Sequence, residues 1–104
     1  MKIVLLGSGN VATHLAKALK ANGEDVLQIY SPNLVNARWL ANQLSAEAVD
    51  DLSQINQDAE LYIISVKDDV IEHVAASLAD VNGLVVHTSG TTDIQVLASH
   101  VKQA

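Results

Sequence analysis

The chain has 104 residues, 49% of them hydrophobic and 17% charged, with no cysteine and a formal net charge of −6 at pH 7. That length holds one domain with a real core and is small for an enzyme housing both a cofactor site and a substrate site. The acidic balance, without any Lys/Arg cluster, excludes a phosphate-tracking nucleic-acid binder, and the lack of cysteine excludes disulfides, thiolate metal sites and a cysteine nucleophile.

Targeting signals are equally sparse. No apolar run approaches the roughly 20 residues that span a bilayer, and the first residues lack a basic region followed by a cleavage site. A cytoplasmic protein without membrane attachment is expected.

The first apolar run, Lys2-Ile3-Val4-Leu5-Leu6, stops at Gly7, and an amphipathic segment begins directly behind Gly9 and Asn10. This predicts a buried strand over 2–6, a tight glycine turn, and a helix from about Asn10 to Ala21. Val11, Leu15 and Leu19 form its apolar stripe, with Ala12 and Ala16 beside them. Asn22-Gly23 ends the helix, glycine suiting the left-handed C-terminal position. Val26 to Tyr30 is a second strand, after which Ser31 is placed to cap a helix with Pro32 at its first position. Ala37, Leu40, Ala41 and Leu44 carry the stripe of that helix.

A short third strand over 46–49 follows, then a brief turn or helix at 51–54. Leu61 to Val66 is the fourth strand, and Lys67-Asp68-Asp69 starts a helix bearing Val70, Ile71, Val74 and Leu78, with Asp69 and Glu72 at capping-box spacing. Asn82-Gly83 breaks the chain before a fifth strand, Leu84 to His87. A turn over Thr88–Thr91 leads to a last helix opened by Thr92-Asp93-Ile94-Gln95 and carrying Leu97 and Val101. The doubled acids Asp50-Asp51 and Asp68-Asp69 read as helix starts, since no metal-ligand spacing surrounds them.

Strands alternate with helices and the connections are short, so parallel pairing with right-handed crossovers is expected. The predicted fold is α/β, a Rossmann-type doubly wound parallel sheet of about five strands in the order 3-2-1-4-5, with helices on both faces. A ligand crevice then falls between the C-terminal ends of strands one and four, where the loops Gly7–Asn10, Ser65–Asp69 and His87–Thr91 meet.

Gly7-Ser8-Gly9-Asn10-Val11-Ala12 fits the dinucleotide fingerprint G-x-G-x-x-A. The free N–H groups and dipole of the helix behind it would receive a pyrophosphate. An acid at the end of strand two would bind the ribose 2′-OH of NAD and repel a 2′-phosphate. Here Ile29-Tyr30-Ser31-Pro32-Asn33 contains none, while Ser31 and Asn33 can donate to a phosphate and Arg38 follows one turn later. NADP is therefore favoured over NAD, although Ser31 also serves as a helix cap and Arg38 as a surface charge. His87, at a strand's C-terminal end, is a candidate proton donor to a reduced carbonyl or imine. Lys67 is a second catalytic candidate or a phosphate contact, and Thr88 and Ser89 can donate to a carboxamide. Tyr30 and Trp39 could approach the adenine edge, although a tryptophan on an amphipathic helix more often belongs to the core.

The G-S-G-N-V-A box, followed by Ser65-Val66-Lys67 after strand four, resembles the N-terminal domain of NADP-dependent reductases of the pyrroline-5-carboxylate reductase type. That superfamily includes the F420-dependent NADP oxidoreductases. His87-Thr88-Ser89-Gly90-Thr91 is similar to a further Rossmann-like branch of it. The resemblance covers essentially the whole chain. It implies that Gly7, Ser8, Gly9, Asn10 and Val11 hold the pyrophosphate and that Ser31 and its neighbours face the adenosine ribose. It also implies that Val66 and Lys67 line the cofactor's middle and that His87 to Ser89 flank the nicotinamide. Where the family often has Arg or Lys after the strand-two serine, this chain has Pro32. The family's C-terminal helical domain, which supplies dimer contacts and much of the substrate pocket, has no counterpart in these residues. The resemblance therefore implies the cofactor half, residues 1–104, of a larger and plausibly homodimeric NADP-dependent oxidoreductase acting on an unidentified small carbonyl or imine. Two other functions stay open: a non-catalytic nucleotide-sensing module and an S-adenosylmethionine-binding fold, both of which typically keep an acid at the end of strand two.

Overall fold

The computed structural model describes residues 1–66 and 68–88. Its elements are β1 (Lys2–Leu6), α1 (Asn10–Ala21), β2 (Asp25–Tyr30), α2 (Leu34–Leu44), β3 (Glu47–Val49), a 3-10 turn (Leu52–Gln54), β4 (Leu61–Ile64), α3 (Asp68–Ala76) and β5 (Leu84–His87). The strands form one parallel sheet in the order β3-β2-β1-β4-β5, as the alternation of apolar runs predicts. The last expected helix, with Ile94, Leu97 and Val101, lies outside the described residues.

Side chains of a strand alternate between faces, and here both faces are covered. Ile3, Leu5, Ile29 and Ile63 pack with Ala12 and Ala16 of α1 and Ala37, Leu40 and Ala41 of α2. Val4, Leu6, Tyr62 and Ile64 pack on the other face with Ile71, Val74 and Ala75 of α3 and with Leu78 and Val81 beyond it. β1 is central and buried on both sides, which is why it reads as a continuous apolar run.

Four local expectations are corrected. The contact line of α1 runs through Ala12 and Ala16, both fully buried, with Leu15 and Leu19 flanking it, while Val11 is 59% exposed. Alanine lets a helix that starts straight from the glycine turn lie close on the sheet, and Val11 is left facing outward. Ser31 does not cap α2. Its N–H still donates to the Val49 carbonyl at 3.1 Å, continuing the β2–β3 pairing, so the chain is extended there and the helix begins later. Asn33 is the N-cap, its Oδ1 accepting from the Val35 and Asn36 N–H groups at 3.0 and 3.4 Å, and Pro32 precedes the helix. α3 begins at Asp68, so Asp69 is already helical and the Asp69–Glu72 spacing does not fall on the cap. Trp39 is 57% exposed on α2 and lies outside both cores.

The crossover from β3 to β4 contains no α-helix, only the 3-10 turn, a second turn at Gln57-Asp58 and irregular chain. Gln28, 5% exposed in β2, holds that region in place. Its Nε2 donates to Glu47 Oε1 at 2.6 Å and the Gln54 carbonyl at 3.1 Å, and its Oε1 accepts from Asn56 N–H at 2.7 Å. A buried amide with both ends partnered replaces the packing a helix would give. Tyr62 adds a second tie, its hydroxyl donating to the Asn56 carbonyl and accepting from Ala59 N–H. No helix among the described residues is long and apolar enough to cross a membrane.

Candidate functional site

The loops leaving β1, β2, β4 and β5 meet at the C-terminal edge of the sheet. With the first turn of α1 they enclose a crevice of about 650 Å3. β1 and α1 contribute Gly7, Ser8, Gly9, Asn10, Val11 and Ala12; the end of β2 contributes Ser31 and Pro32. Ser65 and Val66 follow β4, Val70 comes from α3, and Thr88 follows β5. The reversal of strand order between β1 and β4 opens this space, since crossovers run to opposite faces on either side of it.

The two glycines of the turn have different reasons to be glycine. Gly7 has φ +142°, a backbone conformation side chains rarely adopt, and a Cβ there would overlap the Ser65 carbonyl. It lets β1 and the loop after β4 touch. Gly9 has φ −76° and ψ −167°, open to any residue, and a Cβ there would meet nothing within 4 Å. Nothing within the described residues requires glycine at position 9; its missing side chain leaves room on the crevice side.

α1 starts here without a cap of its own. Gly9 supplies no side-chain hydrogen bond, the first turn carries no acid, and the first helical bond is Thr13 N–H to the Gly9 carbonyl at 2.9 Å. Among the described residues the N–H groups of Asn10, Val11 and Ala12 have no partner. Those donors and the positive end of the helix dipole face the crevice. α2 makes the contrast, because its first N–H groups are satisfied by Asn33.

No charged side chain is found among the described residues that line the crevice. Its field comes from backbone N–H groups and the α1 dipole, a combination that accepts anions without net positive charge. Ser31 is 5% exposed and its Oγ accepts from Asn33 N–H at 3.2 Å. Ser65 and Thr88 join across the mouth, with Thr88 Oγ1 donating to Ser65 Oγ at 3.2 Å.

Of the residues singled out in the sequence, the structure brings together Gly7, Ser8, Gly9, Asn10, Val11, Ser31, Val66 and Thr88. Asn33 and Arg38 are not in the lining: Asn33 caps α2 and Arg38 is exposed further along it. His87 ends β5 opposite Ile64, half-buried, and also lies outside the lining. Its Nδ1 is buried with no partner among the described residues. Lys67 and Ser89 lie outside the described residues. The sequence placed Ala12 in the fingerprint and the loop beginning at Ser65 at the crevice, and the structure has both in the lining; Pro32 and Val70 were read only as helix residues and enter it as well.

A second depression, of about 750 Å3, opens on the α3 side between Tyr30, Asp50, Asp51, Leu52, His73 and the Ala76–Ser77 turn. It presents two carboxylates. Ser53 N–H donates to Asp51 Oδ1 at 2.9 Å and holds that carboxyl below its usual range, so it stays charged. Such a wall repels anions, and the first crevice is the one suited to a phosphate-bearing ligand.

Comparison with curated proteins gives no match. Among solved structures, the chain is similar to BF3122 of Bacteroides fragilis, provisionally named an NADP oxidoreductase, with 40% identity and a TM-score of 0.89 over 96% of this chain and 40% of that one. It is similar to TM1727 of Thermotoga maritima at 23% identity and a TM-score of 0.72, over 92% of this chain and 36% of that one. The prephenate dehydrogenase of A. aeolicus, solved with hydroxyphenyl propionate and NAD+, has the same fold at 12% identity and a TM-score of 0.83, over 97% of this chain and 40% of that one. The chain thus spans 40% or less of the length of each of these proteins. Residues 2–90 match the model of the coenzyme F420-dependent NADP oxidoreductases, and the chain belongs to that family.

Proposed function

We propose that this chain is the dinucleotide-holding portion of an oxidoreductase that moves hydride between NADP and a small carbonyl or imine. The observation that carries the proposal is Gly9: its conformation is open to any residue and its side-chain position is empty, at the mouth of an uncapped helix. A pyrophosphate fits there. The unpartnered N–H groups of Asn10, Val11 and Ala12 receive it, and Gly7 and Ser8 shape the turn beneath it. Ser31 faces the adenosine ribose, while Val66 and Thr88 flank the other half.

The preference for NADP over NAD rests on the acid-free end of β2, since Tyr30, Ser31, Pro32 and Asn33 present no carboxylate to a 2′-phosphate. When bound, the cofactor supplies the hydride chemistry. The chain's own residues bind and orient it. No acid or base lines the crevice among the described residues, so we assign substrate binding and water exclusion to a further part of the enzyme, such as the helical domain of the pyrroline-5-carboxylate reductase type.

Isothermal titration with NADPH and NADH tests this. Binding of NADPH tighter than NADH is expected, and no binding of either at about 1 mM overturns the proposal. Preference for ATP or ADP over both would instead indicate a nucleotide-sensing module. The purified 104-residue chain should show negligible turnover with ketones or imines, because an open crevice leaves the reacting carbon in water.

A further inference from the structure

Two Asn-Gly pairs, Asn22-Gly23 and Asn82-Gly83, interrupt the chain, and the crevice uses neither. Asn-Gly is the least hindered setting for an intramolecular reaction. The glycine amide nitrogen lies next to the asparagine side-chain carbonyl, and no Cβ on the glycine blocks its approach. Both asparagines are exposed, so access to water does not separate them. Their hydrogen bonds do.

Asn22 is locked by the end of α1. Its Nδ2 donates to the Ala18 carbonyl at 2.9 Å, drawing the side chain back toward the helix. Gly23 N–H donates to the Lys20 carbonyl at 3.0 Å, so the attacking nitrogen is occupied as well. Reaction there needs both bonds broken together. Asn82-Gly83 lies between α3 and β5, outside any element, and Gly83 N–H has no acceptor among the described residues. Glycine is nevertheless required at 83, because a Cβ would lie 2.5 Å from the Ala59 carbonyl oxygen and 2.9 Å from that of Glu60. The packing of the chain entering β5 thus preserves the unhindered neighbour that the reaction needs.

We propose that Asn82 is a site of spontaneous deamidation in the folded chain and that Asn22, in the same dipeptide, is protected. The Gly83 nitrogen bonds to Asn82 Cγ and closes a five-membered imide. The Cγ–Nδ2 bond breaks with its electron pair on nitrogen, which takes the Gly83 proton and leaves as ammonia. Water then opens the imide at either carbonyl, giving aspartate or isoaspartate. The product carries a new carboxylate beside Asp58 and Glu60, which line the same hollow of about 490 Å3, and like charges there repel. Isoaspartate also lengthens the main chain by one atom ahead of Gly83, pulling Leu84 N–H from the Glu60 carbonyl that it bonds at 3.0 Å.

The test ages the purified chain at mildly alkaline pH, folded and in guanidinium chloride, and reads the mass gain of one unit by tryptic mapping. Cleavage after Lys20, Arg38, Lys67 and Lys102 puts the two sites on separate peptides, 21–38 and 68–102, and Asn82 is the sole asparagine of the second. Fragment spectra assign Asn22 against Asn33 and Asn36 in the first. In the folded chain Asn82 should convert at least about tenfold faster than Asn22. In denaturant, where neither pair keeps its hydrogen bonds, the two should convert at similar rates. Folded-state conversion that is equal at the two sites, faster at Asn22, or absent from Asn82 overturns the proposal. A preference for Asn82 that persists undiminished in denaturant overturns it too, since local sequence would then be the cause.

Discussion

Gly7 and Gly9 sit two positions apart, and substituting them should have opposite consequences. At Gly7 the positive φ and the Ser65 carbonyl both oppose a side chain. Gly7→Ala should cost at least about 1–3 kcal/mol of stability, read as a lower denaturant midpoint. Gly9→Val meets neither obstacle. Its thermal midpoint should stay near that of the wild type, while NADPH affinity falls by about a hundredfold or more, roughly 2.7 kcal/mol, in a titration. A Gly9→Val chain that still binds NADPH would remove the pyrophosphate from this turn. At the other end of the crevice, Ser31→Asp places a carboxylate where the end of β2 has none. NADPH should then weaken more than NADH in parallel titrations; equal loss would mean that a 2′-phosphate does not lie there.

Among the elements, the link between β3 and β4 depends most on one side chain. Gln28→Leu keeps the volume but leaves the Asn56 N–H and Gln54 carbonyl without their partner. A loss of about 1–3 kcal/mol is expected, measured by urea unfolding, with hydrogen exchange rising first over residues 50–59. Nothing in the sequence around Gln28 announces this, because its partners lie 19, 26 and 28 residues away. The same limit explains the misplaced start of α2. Ser31-Pro32 carries a good local helix-start signal, but the Val49 carbonyl holds Ser31 extended, and that pairing is visible only in the sheet. Where the signal is local and repeated it sufficed: the apolar runs gave the strands, and Gly7–Ala12 located the turn. The crevice was legible through its glycine loop and through the strand order. That order also placed the loop beginning at Ser65 there, whereas Val70 was read only as part of a helix stripe and enters the crevice from α3.

For the molecule as a whole, the two tyrosines link stability to alkaline pH. Burial pushes the Tyr30 phenol above its usual value, helped by Asp50 and Asp51. Tyr62 is also raised by burial and by Asp58, partly offset by its bond from Ala59. A raised phenol keeps its proton in the folded chain after the unfolded chain has lost it. Stability is then level below about pH 10 and falls above it, by up to about 2.7 kcal/mol per pH unit when both groups contribute. Tyr30→Phe should halve that slope between pH 10 and 11 in denaturant titrations, and an unchanged slope would show that Tyr30 titrates freely.

β1 begins the chain and ends in the middle of the sheet, pairing residues 2–6 with 25–30 on one side and 61–64 on the other. Its two neighbours therefore reach it at different times during synthesis. The unit β1-α1-β2 can close a short loop early, but the second flank of β1 stays an open edge until β4 emerges from the ribosome. Closing that longer loop has a larger entropy cost, and pairings so distant in sequence slow folding. In that interval the apolar residues of β1 form an unpaired edge, a template for pairing with another nascent chain.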